Sequence, residues 1–225
     1  MSIIGNQGIC YAPFPPGYTP STANQTWIFF GSDAVYDAMS SLWSRGYRNA
    51  KNQTFLGRDD LTTINRMGVN LIRLYDWEPR NKHQNFLNAC WPPLYTTVLA
   101  PVSNYFLKEG YGNRLQHIPN LIKSFSNAGG TDYHMAITGI IIGNEPRVAG
   151  YSVDRCIQFT KDWVAIEQSQ FGSYRKLPIG HPVDFNTYGG QYPCWGFWDP
   201  LLSKPSLCLA SWYSVAATAA AGTVL

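Results

Sequence analysis

Glu145 follows a run of branched apolar residues, ITGIII at 137–142, with only Gly143 and Asn144 between. A strand this apolar reads as covered on both faces, and a carboxylate at its exit is costly unless it has work to do. Desolvation at such a place raises a carboxyl pKa, so the group can hold a proton, donate it to a departing oxygen and later take one back. Arg73 poses the complementary problem inside the run VNLIRLY at 69–75. A buried guanidinium there needs a carboxylate partner, or else escapes to solvent at the strand's end. In chain order, the ends of the apolar runs supply Tyr11, then Arg73, Tyr75 and Asp76, then Ser103 and Asn104, then Asn144 and Glu145, then His181 and Asp184, and finally Trp212 and Tyr213. Hydroxyl and amide groups with aromatic faces around one carboxyl group suit a sugar-like ligand.

To bring these positions together, the chain needs its strand ends at one edge. Short apolar runs alternate with amphipathic segments, the pattern of βαβ units and a parallel sheet. Strands are expected at 7–11, 69–75, 96–103, 136–142, 177–184 and 207–213. Helices are expected at 58–67, where acids open the segment and Gly68 closes it, at 114–127, and at 152–172. In the last of these, Val153, Ile157, Phe159, Trp163 and Ile166 recur near helical spacing. The expected architecture is one α/β domain over residues 1–225, with strand ends presenting the functional groups as in an α/β barrel. A long first loop at about 12–56, rich in Pro, Gly and aromatics, has the length that usually signals function.

The segments GICYAPFPPG, MGVNLIRLYDWEPR, PVSNYFL and IIIGNEP resemble the retaining glycoside hydrolases with a (β/α)8 TIM barrel, and within them the β-1,3-glucanases and β-1,3-glucanosyltransferases of fungal and plant cell walls. The likeness covers residues 5–150 and continues more weakly to 213. It implies that Glu145 is the general acid/base, that Asn144 holds the sugar's 2-hydroxyl, that Arg73 supports a nucleophile, and that Tyr213 orients it. Tyr11, Tyr75, Asp76 and Asn104 are expected to bind substrate, although Asn104 equally suits an Asx turn. Trp27, Phe29, Phe30 and Trp43 could stack on sugar rings or simply pack locally.

The pattern then breaks. Retaining chemistry takes two carboxyl groups about 5 to 5.5 Å apart, and the family's nucleophile is a Glu on the seventh strand. No Glu follows Glu167 here, and the last acid is Asp199. A full barrel of this type takes about 250 residues. The expectation is an incomplete barrel of about six βα units, truncated after the sixth strand and lacking its nucleophile. Asp184 is a possible substitute. The alternatives are a carbohydrate-binding pseudoenzyme and an unrelated α/β protein in which NEP is accidental.

Composition narrows the partners. Charged residues are 14% and aromatics 15% of the chain, with 8 Trp and 14 Tyr, so the surface must be polar through Asn, Ser, Thr and Tyr, which suits an oligo- or polysaccharide. A net charge of +3 without a basic stripe argues against nucleic acid. No apolar stretch makes a good membrane span. Cys10, Cys90, Cys156, Cys194 and Cys208 form no CxxC pair, and the histidines His83, His117, His134 and His181 show no ligand spacing, so no metal and no cofactor is expected. One disulfide is possible; small buried thiols are the alternative. Sequons at Asn24 and Asn52 favour a secreted or cell-surface protein, although the chain begins without a signal peptide.

Overall fold

The computed structural model describes residues 7–12, 33–49, 51–107, 114–144 and 149–180. In chain order these form β1 (Gly8–Cys10), a 3₁₀ turn (Asp37–Met39), α1 (Ser40–Trp43), β2 (Gly46–Arg48), β3 (Thr54–Leu56), α2 (Asp60–Arg66), β4 (Leu71–Arg73), α3 (Gln84–Cys90), β5 (Thr97–Val102), α4 (Asn104–Leu107), α5 (Arg114–Phe125), β6 (Ile137–Ile142), α6 (Val153–Phe171) and β7 (Ile179–Gly180). The fold is mixed α/β. Strands β1-β4-β5-β6-β7 form one sheet in that order, every pairing parallel. Each new strand therefore adds beside its predecessor, always on the same side. A doubly wound sheet reverses its order midway; this one does not over the described strands. The expected strand at 207–213 lies outside the described residues, as do His181 and Asp184.

Side chains alternate across the pleat. Ile72 and Leu74, then Val98, Ala100 and Val102, then Ile137, Ile140 and Ile142 belong to one core cluster, which also takes in Ile118, Leu121, Ile122, Phe125, Phe159 and Trp163 from α5 and α6. Leu71 and Arg73 in β4, and Leu99 and Pro101 in β5, alternate with that set and so share the opposite face. The pairing of β5 with β6 skips a residue between Val98 and Leu99. Gly139 lies at that irregularity, where an added Cβ would sit 2.8 Å from Leu99 Cδ2. A glycine thus leaves room for the Leu99 side chain between the two strands.

The first loop holds more order than its composition suggests. Within its described part lie the 3₁₀ turn, α1 and an antiparallel hairpin of β2 and β3. Asn49 explains the hairpin: its side-chain oxygen accepts from the backbone N–H groups of Lys51 and Gln53, and Asn52 takes the left-handed conformation at φ 64°. Sequence periodicity could not reveal so short a pair of strands. The same is true of α3, whose seven residues bury only Phe86, Leu87 and Cys90.

Helix α6 starts where expected, with Ser152 Oγ accepting from the Arg155 N–H at 3.3 Å, and ends at Gly172, φ 69°. Its buried stripe is Cys156, Phe159, Trp163, Glu167 and Phe171, so Ile157 and Ile166 of the expected face sit at its margin. Glu167 is the surprise, a carboxylate 4% exposed. Tyr133 and Tyr174 donate their hydroxyls to its two oxygens, and Trp163 Nε1 donates to Tyr133 Oη at 3.2 Å. Burial, the bond to Glu167 and its charge push both phenols well above their ordinary pKa. They remain protonated donors, which is what a buried carboxylate requires.

Candidate functional site

The C-terminal ends of β4, β5 and β6 meet at three side chains. Arg73 closes β4 on the face opposite the core cluster and is only 8% exposed, which rules out escape to solvent. Its Nη2 donates to Asn144 Oδ1 at 2.7 Å, and its guanidinium carbon lies 4.9 Å from the centre of the Tyr75 ring. Neighbouring strands are about 4.8 Å apart, so this contact spans β5 and needs the full reach of an arginine. The expected carboxylate partner is replaced, among the described residues, by an amide oxygen and an aromatic face. Among the described residues, Nε of Arg73 is buried without a hydrogen-bond partner, an arrangement that suits a further acceptor.

Asn144 is held from two sides. Gly143, at φ 77°, ends the ladder by donating its N–H to Val102 O at 2.7 Å. Beyond it, the Asn144 N–H donates to Asn104 Oδ1 at 2.9 Å, while Asn104 Nδ2 donates to Asn144 O at 2.6 Å. Asn104 is therefore not in an Asx turn, and one bond from each of its polar atoms is spent on residue 144. With Asn144 Oδ1 committed to Arg73, the amide is oriented and its Nδ2 is the group left to donate. Glu145 is the next residue, and it lies outside the described residues, as does Tyr213.

The Tyr11 N–H donates to Arg73 O at 2.9 Å, but the side chains of Tyr11 and Asp76 bond elsewhere. The Tyr11 hydroxyl donates to Asp60 Oδ2 at 2.9 Å at the start of α2, and Arg58 grips the same carboxylate through Nε and Nη2 at 2.7 and 2.6 Å. Burial and the charge of Asp60 push the Tyr11 phenol well above its ordinary pKa, so Tyr11 serves as a fixed hydrogen-bond donor to Asp60. Asp76 lies in the loop after β4, where its Oδ1 accepts from the Trp77 N–H at 2.8 Å.

Burial, partly offset by that bond and reinforced by the charges of Asp33 and Glu78, pushes the Asp76 carboxyl up from 3.8 to about 6. The folded chain then holds a proton between those values that the unfolded chain releases, so stability falls as pH rises through this window and stays lower above it. Asp76→Asn keeps an acceptor for the Trp77 N–H. It is expected to stabilise the protein by about 2 kcal/mol at pH 7.5 and by almost nothing near pH 4. Urea unfolding at the two pH values checks this.

Sequence reasoning missed the groups beneath that loop. Asp33 and His83 are 6% and 3% exposed and paired through Asp33 Oδ2 and His83 Nε2. Asp33 Oδ2 also accepts from Asn81 Nδ2 at 3.1 Å and from the Glu78 N–H at 3.3 Å. The His83 ring stacks on Trp77 at 3.7 Å between centroids and 15° between planes, and Trp77 Nε1 donates to Ser124 Oγ at 2.8 Å. This cluster staples the middle of the first insertion to the loop carrying Asp76. Positions 50 residues apart leave no local signal in the sequence.

Trp43 is buried against Phe86, edge to face at 5.5 Å, so packing is its role; Trp27, Phe29 and Phe30 lie outside the described residues. Among the described residues, Cys10, Cys90 and Cys156 are joined by no disulfide to one another. Among the described residues, no three His, Cys, Asp or Glu side chains are placed to share a metal ion, and no helix is long and apolar enough to cross a membrane.

No protein-family profile and no curated protein matches this chain. Solved structures are similar to it in part. ScGas2 in complex with compound 6 is 18% identical, over 81% of this chain and 37% of that one, with a TM-score of 0.46. Saccharomyces cerevisiae Gas2p in complex with laminaritriose and laminaritetraose is 19% identical over 79% and 34%, with a TM-score of 0.44. Bacteroides uniformis β-glucuronidase 2, covalently bound to cyclophellitol-6-carboxylate aziridine, is 12% identical over 56% and 15%, with a TM-score of 0.39. The chain spans about a third of the length of the Gas2 structures.

Proposed function

We propose that this chain carries the acid/base side of a retaining glycoside hydrolase or transglycosylase site for β-glucan, β-1,3-linked in preference, built on strands of a (β/α)8 barrel. One observation carries the reading: a buried Arg73 fixes the amide of Asn144, the residue directly before Glu145, at the C-terminal edge of a parallel sheet that winds in one direction. That edge is where α/β barrels place their chemistry.

In this reading the Asn144 Nδ2 donates to the hydroxyl beside the anomeric carbon. Glu145 gives its proton to the glycosidic oxygen as the bond to the anomeric carbon breaks. A carboxylate on the opposite face attacks that carbon, and Glu145 then takes a proton from water or from an acceptor sugar hydroxyl as the ester is cleaved. The Nε of Arg73, without a partner among the described residues, suits the attacking carboxylate. Tyr75 supplies an aromatic face beside Arg73, and Tyr213 is proposed to orient the nucleophile. The protein is proposed to act on cell-wall glucan, secreted or at the cell surface.

One observation favours a second reading, a carbohydrate-binding pseudoenzyme: residues 168–225 contain no Glu, so the nucleophile remains unassigned within this chain. Incubating the full chain with laminari-oligosaccharides separates the two. Shortened or lengthened products in mass spectra support the enzyme, while calorimetric binding without products supports the binder. Neither binding nor products overturns both.

A further inference from the structure

We propose that Asn104 is a positioning residue whose side-chain amide, paired with both backbone groups of Asn144, sets the direction in which the chain leaves β6 toward Glu145. This rests on the reading of Glu145 as the acid/base. The last backbone rung between β5 and β6 is the bond from the Gly143 N–H to Val102 O. Past it β5 turns away, because α4 begins at Asn104, and the edge of Asn144 would be left without a partner strand. The Asn104 amide fills that place with a donor and an acceptor spaced as in a peptide group, at 2.6 and 2.9 Å. It acts as one further rung built from a side chain.

Few other residues can do this. Gln carries the same groups one methylene further out, Ser and Thr reach less far, and an ionised Asp accepts from the Asn144 N–H but repels the Asn144 carbonyl. A protonated Asp, however, again offers one acceptor and one donor. The Asn144 backbone is also the one whose side chain Arg73 holds at 2.7 Å, so three bonds from β4 and from the start of α4 converge on the residue before Glu145. Displacement of a reacting group by about 1 Å can cost roughly a hundredfold in rate.

The test compares the full-length protein with Asn104→Ala, Asn104→Asp and Glu145→Gln variants on laminaripentaose, reading kcat, KM, the pH profile and the melting temperature. The expected result is a kcat lowered roughly tenfold to a hundredfold in Asn104→Ala, with KM within about twofold because the substrate contacts remain. Asn104→Asp should recover activity relative to the unchanged protein as pH falls and its carboxyl takes up a proton. A merely structural role predicts lower melting temperatures with kcat and pH profile unchanged, and that result overturns the proposal while leaving Glu145 in place. Full activity of Glu145→Gln, or no turnover by the unchanged protein, overturns the reading beneath it and this proposal too.

Discussion

Glu145→Gln is expected to lower kcat on laminari-oligosaccharides by about 10²- to 10⁴-fold, the usual contribution of a positioned acid/base. Glutamine keeps the size and polarity of the side chain but can neither release nor accept the proton. Binding of the oligosaccharide should stay within a few-fold, because the loss falls on a group whose work is done in the transition state. The deficit should shrink for an aryl β-glucoside with an acidic phenol as leaving group, which departs without protonation. Steady-state kinetics on the two substrate types measures this. Equal losses on both would mean that the variant disturbs the site in general, and no loss would remove Glu145 from the chemistry.

The second large effect concerns the fold beneath the site. Removing one partner of a buried hydrogen-bonded pair leaves the other's polar group unsatisfied, at a cost of about 1 to 3 kcal/mol and more where that group is charged. His83→Ala leaves Asp33 buried, with the Asn81 side chain and the backbone N–H groups of Val35 and Glu78 as its remaining donors among the described residues, and it removes the ring stacked on Trp77. We expect the loss to be about 3 kcal/mol, seen as a fall of roughly 6 to 12 °C in melting temperature for a chain of this size. Asp33→Asn should cost less, since its amide oxygen still accepts from Asn81 and from the backbone. The double variant should cost less than the two single losses added together. Additive losses would show that the two residues do not act as a pair.

Much of the sheet could be read from the chain because its strands are short runs of Val, Leu and Ile covered on both faces, a composition that survives any change of neighbours. Strand β4 is shorter than its apolar run suggested, since after Arg73 the chain turns into the loop that carries Tyr75 and Asp76. Residues of the site were also legible as strand ends: Arg73, Asn104 and Asn144 converge. What each of them binds was not, because partners 40 and 71 residues apart are set by strand order and not by local spacing. Asn104 shows this best. Sequence offered a ligand contact or a turn, and the amide instead completes the backbone of a residue two elements further on. Glu167, Asp33 and His83 escaped for a different reason: periodicity assigns charged residues to the solvated side, and only tertiary burial with matched donors reverses that assignment.

The bond from Arg73 to Asn144 joins the first of three consecutive strands to the last. During folding this contact cannot form until β5 has docked between them, so it belongs among the late events and should leave the folding rate almost untouched when removed, while hastening unfolding. A sugar that fits only the finished arrangement would act as a reporter of correct assembly, slowing the opening of all three units at once.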